Sequence, residues 1–209
     1  MKIPIFASFV LLAGIIYTGV KKSNKMIREE ENAFWEKERQ ANSVRKKSLE
    51  HLDYIHIPQE ILSLDNPNHN IILQDTLASL NKLAATPIVN LQGITNTDLK
   101  LTYGTANITI LSQYDENYTQ LAILLQNLAG ELYEENRSSE CLQVLEFAIS
   151  TGTDISHSYY LLATLYTENG TPEKISDLIT KVQATRSTLK DTIINNLEEY
   201  ANESLHSAV

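Results

Sequence analysis

The sequence predicts an all-α chain: an N-terminal transmembrane helix, then a solenoid of helical hairpins closed by a C-terminal capping helix. Three observations predict it. An uncharged apolar run occupies Ile3 to Val20. From Asn70 onward apolar residues recur at helical spacing, and no partner strand is evident for the one short alternating stretch. Two segments centred on Tyr133 and Tyr166, 33 residues apart, read alike, and self-similarity at that period marks a repeat array.

The apolar run, IPIFASFVLLAGIIYTGV, is eighteen residues long and bounded by Lys2 and by Lys21-Lys22. As a helix it covers roughly 27 Å, against a hydrocarbon core of about 30 Å. Pro4 falls in its first turn, where a missing N–H costs nothing, and Tyr17 suits an interface. The run is longer than the apolar part of a secretory signal and ends without an A-x-A-like site, so an uncleaved anchor is expected; an exported protein with a cleaved signal is the alternative. Lys21, Lys22, Lys25 and Arg28 follow the run, which by the positive-inside rule predicts a single-pass membrane protein, N-out and C-in, with a cytoplasmic body.

Residues 23–69 read as a basic juxtamembrane helix and an extended connecting arm. KKSNKMIREEENAFWEKERQAN lacks Gly and Pro and continues the helix. Phe34 and Trp35, with Lys21, Lys22, Lys25 and Arg28, are candidate membrane or docking contacts. Residues 1–47 hold ten Lys/Arg against five Asp/Glu, and 48–209 hold seven against twenty-one. The basic part suits anionic lipid, making membrane lipid one expected partner through the anchor. The acidic part argues against nucleic acid, whose binding needs cations to neutralise phosphate. Tyr54-Ile55-His56-Ile57 alternates and runs into Pro58, which biases the chain to extended geometry, and Asp65-Asn66-Pro67-Asn68 is a turn.

Residues 70–121 supply the first helices of the body. Ile72, Leu73, Leu77, Leu80 and Leu83 form a helical stripe that should stop before Pro87. Asn96 or Thr97 can cap a short helix ended by Gly104, and Thr105–Asn136 is mostly helical with a break expected near Asp115. Residues 122–185 hold the repeats: Leu128-Ala129-Gly130-Glu131-Leu132-Tyr133-Glu134-Glu135-Asn136 compares with Leu162-Ala163-Thr164-Leu165-Tyr166-Thr167-Glu168-Asn169-Gly170, each with small residues a turn ahead of a Tyr and a helix-stopping Asn or Gly at its end. Cys141, Leu145 and Ala148 align with Ile175, Ile179 and Val182, the first unit reading one residue short at its turn. In residues 186–209, Leu189, Ile193, Leu197, Tyr200 and Ala201 share one face of a terminal helix, the cap that a stack requires.

These residues resemble the tetratricopeptide family across Ala122 to Ala184. Cys141 and Ile175 depart from it, standing where the family prefers Ala, and Asp154 stands where a closing Pro is usual. The resemblance implies a protein- or peptide-binding groove formed by the first helix of each unit. Carried over position by position, its candidate residues are Asn127, Glu131 and Glu134, then Tyr160, Thr164 and Thr167. The whole chain is similar to single-span, TPR-like membrane proteins of Gram-positive bacteria, a likeness that names no activity.

No nucleotide-binding, nucleophile-elbow or zinc-protease motif occurs, and the five histidines are scattered. Cys141 has no second cysteine to pair with and is expected in the core as an inert thiol. Neither catalytic nor metal residues nor a cofactor are expected. The expected function is a membrane-anchored protein-interaction adaptor or scaffold at the cytoplasmic face. The alternative is a structural component of a membrane assembly that packs through Phe34, Trp35 and the Tyr54–Ile57 arm.

Overall fold

The computed structural model describes the backbone of residues 3–207 and the side chains of Leu12 and residues 16–202. Among the described residues regular structure is helical apart from one isolated antiparallel bridge, Tyr54 to Val89. The chain divides into two compact units, Met1–Ser48 with Thr95–Ile108, and Leu49–Ile94 with Thr109–Val209.

The first unit is built on α1 (Ile3–Ser43), 41 residues without a break. The expected membrane span is not upheld: among the described residues no helix is long and apolar enough to cross a membrane. The helix that carries the apolar run continues, as expected, through Lys21, Lys22 and Lys25 into Glu29-Glu30-Glu31. Most side chains of the run itself lie outside the described residues. The assignment as a single-pass, N-out, C-in membrane protein falls with the span.

Near its C-terminal end α1 packs on α4 (Asn96–Tyr103) and a 3-10 turn at Thr105–Asn107. Ala41 is fully buried. Lys37 donates to Asp98 at 2.7 Å, Thr97 donates to Glu38 at 2.7 Å, and Lys100 pairs with Glu38. The N-cap of α4 is Thr95, one residue before the expected Asn96, because the Thr95 hydroxyl accepts the Asp98 N–H at 3.2 Å. Gly104 has φ +89°, and a Cβ there would stand 2.3 Å from the Arg45 carbonyl oxygen, so only glycine lets the two chain segments meet.

The second unit begins with the arm. Its extended stretch does find a partner: Ile55 N–H donates to the Ile88 carbonyl at 2.9 Å, beside the Tyr54–Val89 bridge. After α2 (Gln59–Leu62), Asn70 caps α3 (Ile71–Leu83) by accepting from Ile72 and Leu73 N–H. The Asn70 amide reaches Glu131 at 2.8 Å on α5 (Ile108–Glu134), and Asn117 near the start of α5 reaches the Pro87 carbonyl at 2.8 Å. α3 and α5 therefore run antiparallel. No break occurs at Asp115; its carboxylate accepts the Leu91 N–H at 3.1 Å and so serves the 88–94 segment instead of starting a new helix.

Beyond α5 come α6 (Ser138–Ser150), α7 (Ser156–Glu168), α8 (Lys174–Gln183) and α9 (Lys190–Ser207), with α7 packed on α6, α8 and α9. The α5–α6 and α7–α8 turns have the same geometry. Asn136 at φ 58° matches Gly170 at φ 69°, a separation of 34. Arg137 N–H donates to the Leu132 carbonyl at 2.9 Å as Thr171 N–H does to Tyr166 at 2.8 Å, the paired bonds of a left-handed helix stop. With this register Leu125, Leu128, Ala129 and Leu132 match Tyr159, Leu162, Ala163 and Tyr166, and Cys141, Val144 and Ala148 match Ile175, Leu178 and Val182, every one of them buried. The register is 34 throughout, as the Leu128–Leu162 and Asn136–Gly170 pairs require, so Tyr133 corresponds to Thr167 and the first unit is not short at its turn.

Candidate functional site

Two of the six expected groove residues are engaged by other elements of the second unit. Glu131, half-buried on α5, accepts from Asn70 at 2.8 Å. On α7, the Tyr160 hydroxyl accepts from Asn196 of α9 at 2.6 Å, and its ring stacks on Tyr200 with centroids 6.2 Å apart. Thr164 and Thr167 turn their hydroxyls back to the Tyr160 and Ala163 carbonyls, each at 3.0 Å. Asn127, Glu134 and Thr167 are exposed. Of the six, Glu131 and Tyr160 thus act as attachment points for the elements that flank the repeats.

In the first unit, Lys21, Lys22, Lys25 and Arg28 are exposed, with Lys25 3.6 Å from Glu29 one helical turn on. Phe34 and Trp35 pack edge to face on each other at 5.3 Å and remain 54 % and 59 % exposed. Cys141 fills the small core position expected of it. Its thiol donates to the Ala129 carbonyl at 3.1 Å, and burial pushes its pKa up to about 12, which suppresses the nucleophilic thiolate. Among the described residues no group of three or more His, Cys, Asp and Glu is placed to hold a metal ion.

A different concavity exists in the second unit, a cleft of about 220 Å³. Its walls are Asp53, Ile55 and His56 from the arm, Asn90 from the segment after α3, and Phe147, Ser150 and Thr151 from the end of α6. The Ile55–Ile88 hydrogen bond fixes the arm beside the 88–94 segment. Asn90 then ties that segment to α6: its amide donates to the Thr151 carbonyl at 2.9 Å and the Gly152 carbonyl at 3.4 Å, and its oxygen accepts the Gln92 N–H at 3.0 Å. Gly152 has φ +78°, and a Cβ there would lie 3.1 Å from the Asn90 amide nitrogen, so glycine ends α6 where Asn90 must approach.

Beneath the cleft lies a polar layer. The Tyr118 hydroxyl is fully buried and, among the described residues, has no hydrogen-bond partner; the side chains of Thr151 and Asn90 stand beside it, and burial pushes its pKa up to about 12. Tyr159, also fully buried, donates to the Thr153 carbonyl at 2.7 Å. Asp154 accepts from Gln92 at 3.0 Å. Hydrogen bonds from Asn90 and Gln92 therefore join the 88–94 segment to the α6–α7 loop and make the floor of the cleft at Asn90 and Thr151.

Local reading of the sequence missed this cleft because its walls come from residues about 35 and 60 positions apart. The available signals were Asn90, Gly152 and Asp154, each a turn-forming residue type. No family model, curated protein or solved structure matches this chain.

Proposed function

We propose that the chain is a helical-repeat adaptor that binds another protein, and that it does so at the cleft between the arm and the end of α6. The observation that carries the adaptor reading is the 34-residue recurrence of helix, left-handed turn and helix from Leu125 to Val182, with its matched buried positions. Stacked hairpins of this kind present extended surfaces, and their usual employment is to hold other chains. The same recurrence supports the resemblance to tetratricopeptide units. Tyr160 is engaged by α9 and Glu131 by the α3 cap, whereas Asp53, His56 and Ser150 stand exposed around a concavity.

A photo-crosslinking residue placed singly at Ser150, Asn127 or Thr167 of the full chain tests this. Adducts with another protein are expected from Ser150 and not from the other two; adducts from Asn127 and Thr167 alone would return the binding surface to the repeat face. The exposure of Phe34 and Trp35 favours a second reading, a structural role in an assembly. Adducts formed only from Trp35 would select it.

A further inference from the structure

The cleft beside the end of α6 has a chemical preference of its own, and we infer that it receives a single basic side chain, arginine or lysine, from the bound protein. This inference rests on the adaptor reading and adds the class of ligand to it. Its first support is size. About 220 Å³ holds one long side chain, whereas sites for whole drug-sized molecules span about 300–1,000 Å³.

Charge is the second. None of the seven lining residues is Lys or Arg, and Asp53 contributes an exposed carboxylate to the rim. Ser150 and Thr151 stand at the C-terminal end of α6, where the aligned peptide dipoles concentrate partial negative charge and favour a cation. Asp154 and Asp115 raise the pKa of the buried Tyr118 hydroxyl, placing further negative potential behind the floor. The second unit carries six Lys/Arg against twenty Asp/Glu, so its own field draws a basic partner and opposes an acidic one.

Shape and lining supply the third. Phe147 puts an aromatic ring into the wall, and a guanidinium or ammonium group is attracted to such a face. Ile55, which also lines the cleft, gives apolar surface for the methylene stem that a long basic side chain buries while its head stays polar. The Ser150 and Thr151 hydroxyls already donate to the Phe147 and Ala148 carbonyls, at 2.7 Å each, which leaves their oxygens as acceptors facing an incoming donor. A carboxylate ligand would meet these acceptors and Asp53, with His56 the one lining side chain that can carry positive charge.

The test is an amide chemical-shift titration of the full chain with three peptides differing at one central position, Gly-Ser-Arg-Ser-Gly, Gly-Ser-Gln-Ser-Gly and Gly-Ser-Glu-Ser-Gly, all capped at both ends. The arginine peptide is expected to shift residues 53–56, 90 and 147–151 and to bind at least about tenfold more tightly than the glutamine peptide, with affinity falling as salt rises. Asp53→Asn should weaken it about fivefold, and Ser150→Arg, which fills the cleft from its own rim, should abolish it. Both positions are exposed, so neither change removes a core contact. Equal binding of the glutamine or glutamate peptide, or shifts confined to other residues, overturns the inference. Protein adducts at Ser150 without arginine preference would overturn the ligand class alone, whereas arginine-peptide binding with no protein adduct at Ser150 would overturn the adaptor reading.

Discussion

Replacing Asn90 by Ala tests whether one side chain fastens the floor of the cleft. The change removes a good hydrogen bond to the Thr151 carbonyl at 2.9 Å, a long one to Gly152 at 3.4 Å, and the acceptor for Gln92 N–H at 3.0 Å. Two good bonds at about 1 kcal/mol each, plus part of the cost of leaving half-buried partners unmade, less the side-chain entropy returned, give a loss of about 2 kcal/mol. Asn90→Asp keeps the acceptor but loses the donor and sets a negative charge at the end of α6, so it should cost at least as much. Urea unfolding followed through the near-ultraviolet signal of the buried Tyr118 and Tyr159 reads this unit. The midpoint should fall by about 1 M at an unchanged slope of about 2 kcal/mol/M. A loss below about 0.5 kcal/mol for Asn90→Ala would refute the argument, since exposed, unengaged positions show effects of that size.

Three further outcomes follow from the same contacts. Arg137, with its side chain 12 % exposed, makes two 2.6 Å bonds to Glu140 and one of 2.8 Å to Asp65, and lies 3.5 Å from the buried Oε2 of Glu135. Arg137→Ala should therefore cost about 3 kcal/mol in the same titration, whereas a cost near zero would show the cluster to be solvated. Tyr160→Ala should speed amide exchange along residues 190–200 of α9 while leaving α5 and α6 unchanged, because it deletes the Asn196 bond and the Tyr200 stack; unchanged exchange in α9 would mean that Ile193 and Leu197 hold it alone. For Cys141 the folded-state pKa is raised by burial from 9.0 to about 12, so the folded chain keeps a proton the unfolded chain loses, and the stability involved is present below pH 9 and lost as pH rises toward 12. Cys141→Ala should reduce the fall in stability between pH 9 and 10.5; an identical slope would place the thiol in contact with water.

The helices were legible where side-chain spacing alone decides them. Leu73, Leu77, Leu80 and Leu83 lie on the buried stripe of α3 as the 3.6-residue period requires, whereas Ile72, expected in the same stripe, is 58 % exposed; the matching of Cys141 and Ala148 to Ile175 and Val182 carries the 34-residue period. What could not be read were contacts between distant residues. Asp115 looks like a helix cap in sequence because the Leu91 N–H that occupies it is twenty-four residues away. Tyr160 looks like a groove residue until Asn196 and Tyr200 are folded onto it. The arm seemed to lack a strand partner because Ile88-Val89 sits in a short apolar stretch that pairs at only one bridge. At the N-terminus the helix runs on through the charged segment, where Gly and Pro are lacking, whereas the membrane span expected from local apolarity is not upheld among the described residues.

A structure of the full chain bound to the capped arginine peptide tests the central claim most directly. The account predicts the guanidinium in the cleft, within about 4 Å of the Asp53 carboxylate as an ion pair requires and lying on the Phe147 ring, with Tyr160 still bonded to Asn196. A peptide lying instead along Asn127, Thr164 and Thr167, with α9 displaced from Tyr160, would contradict it.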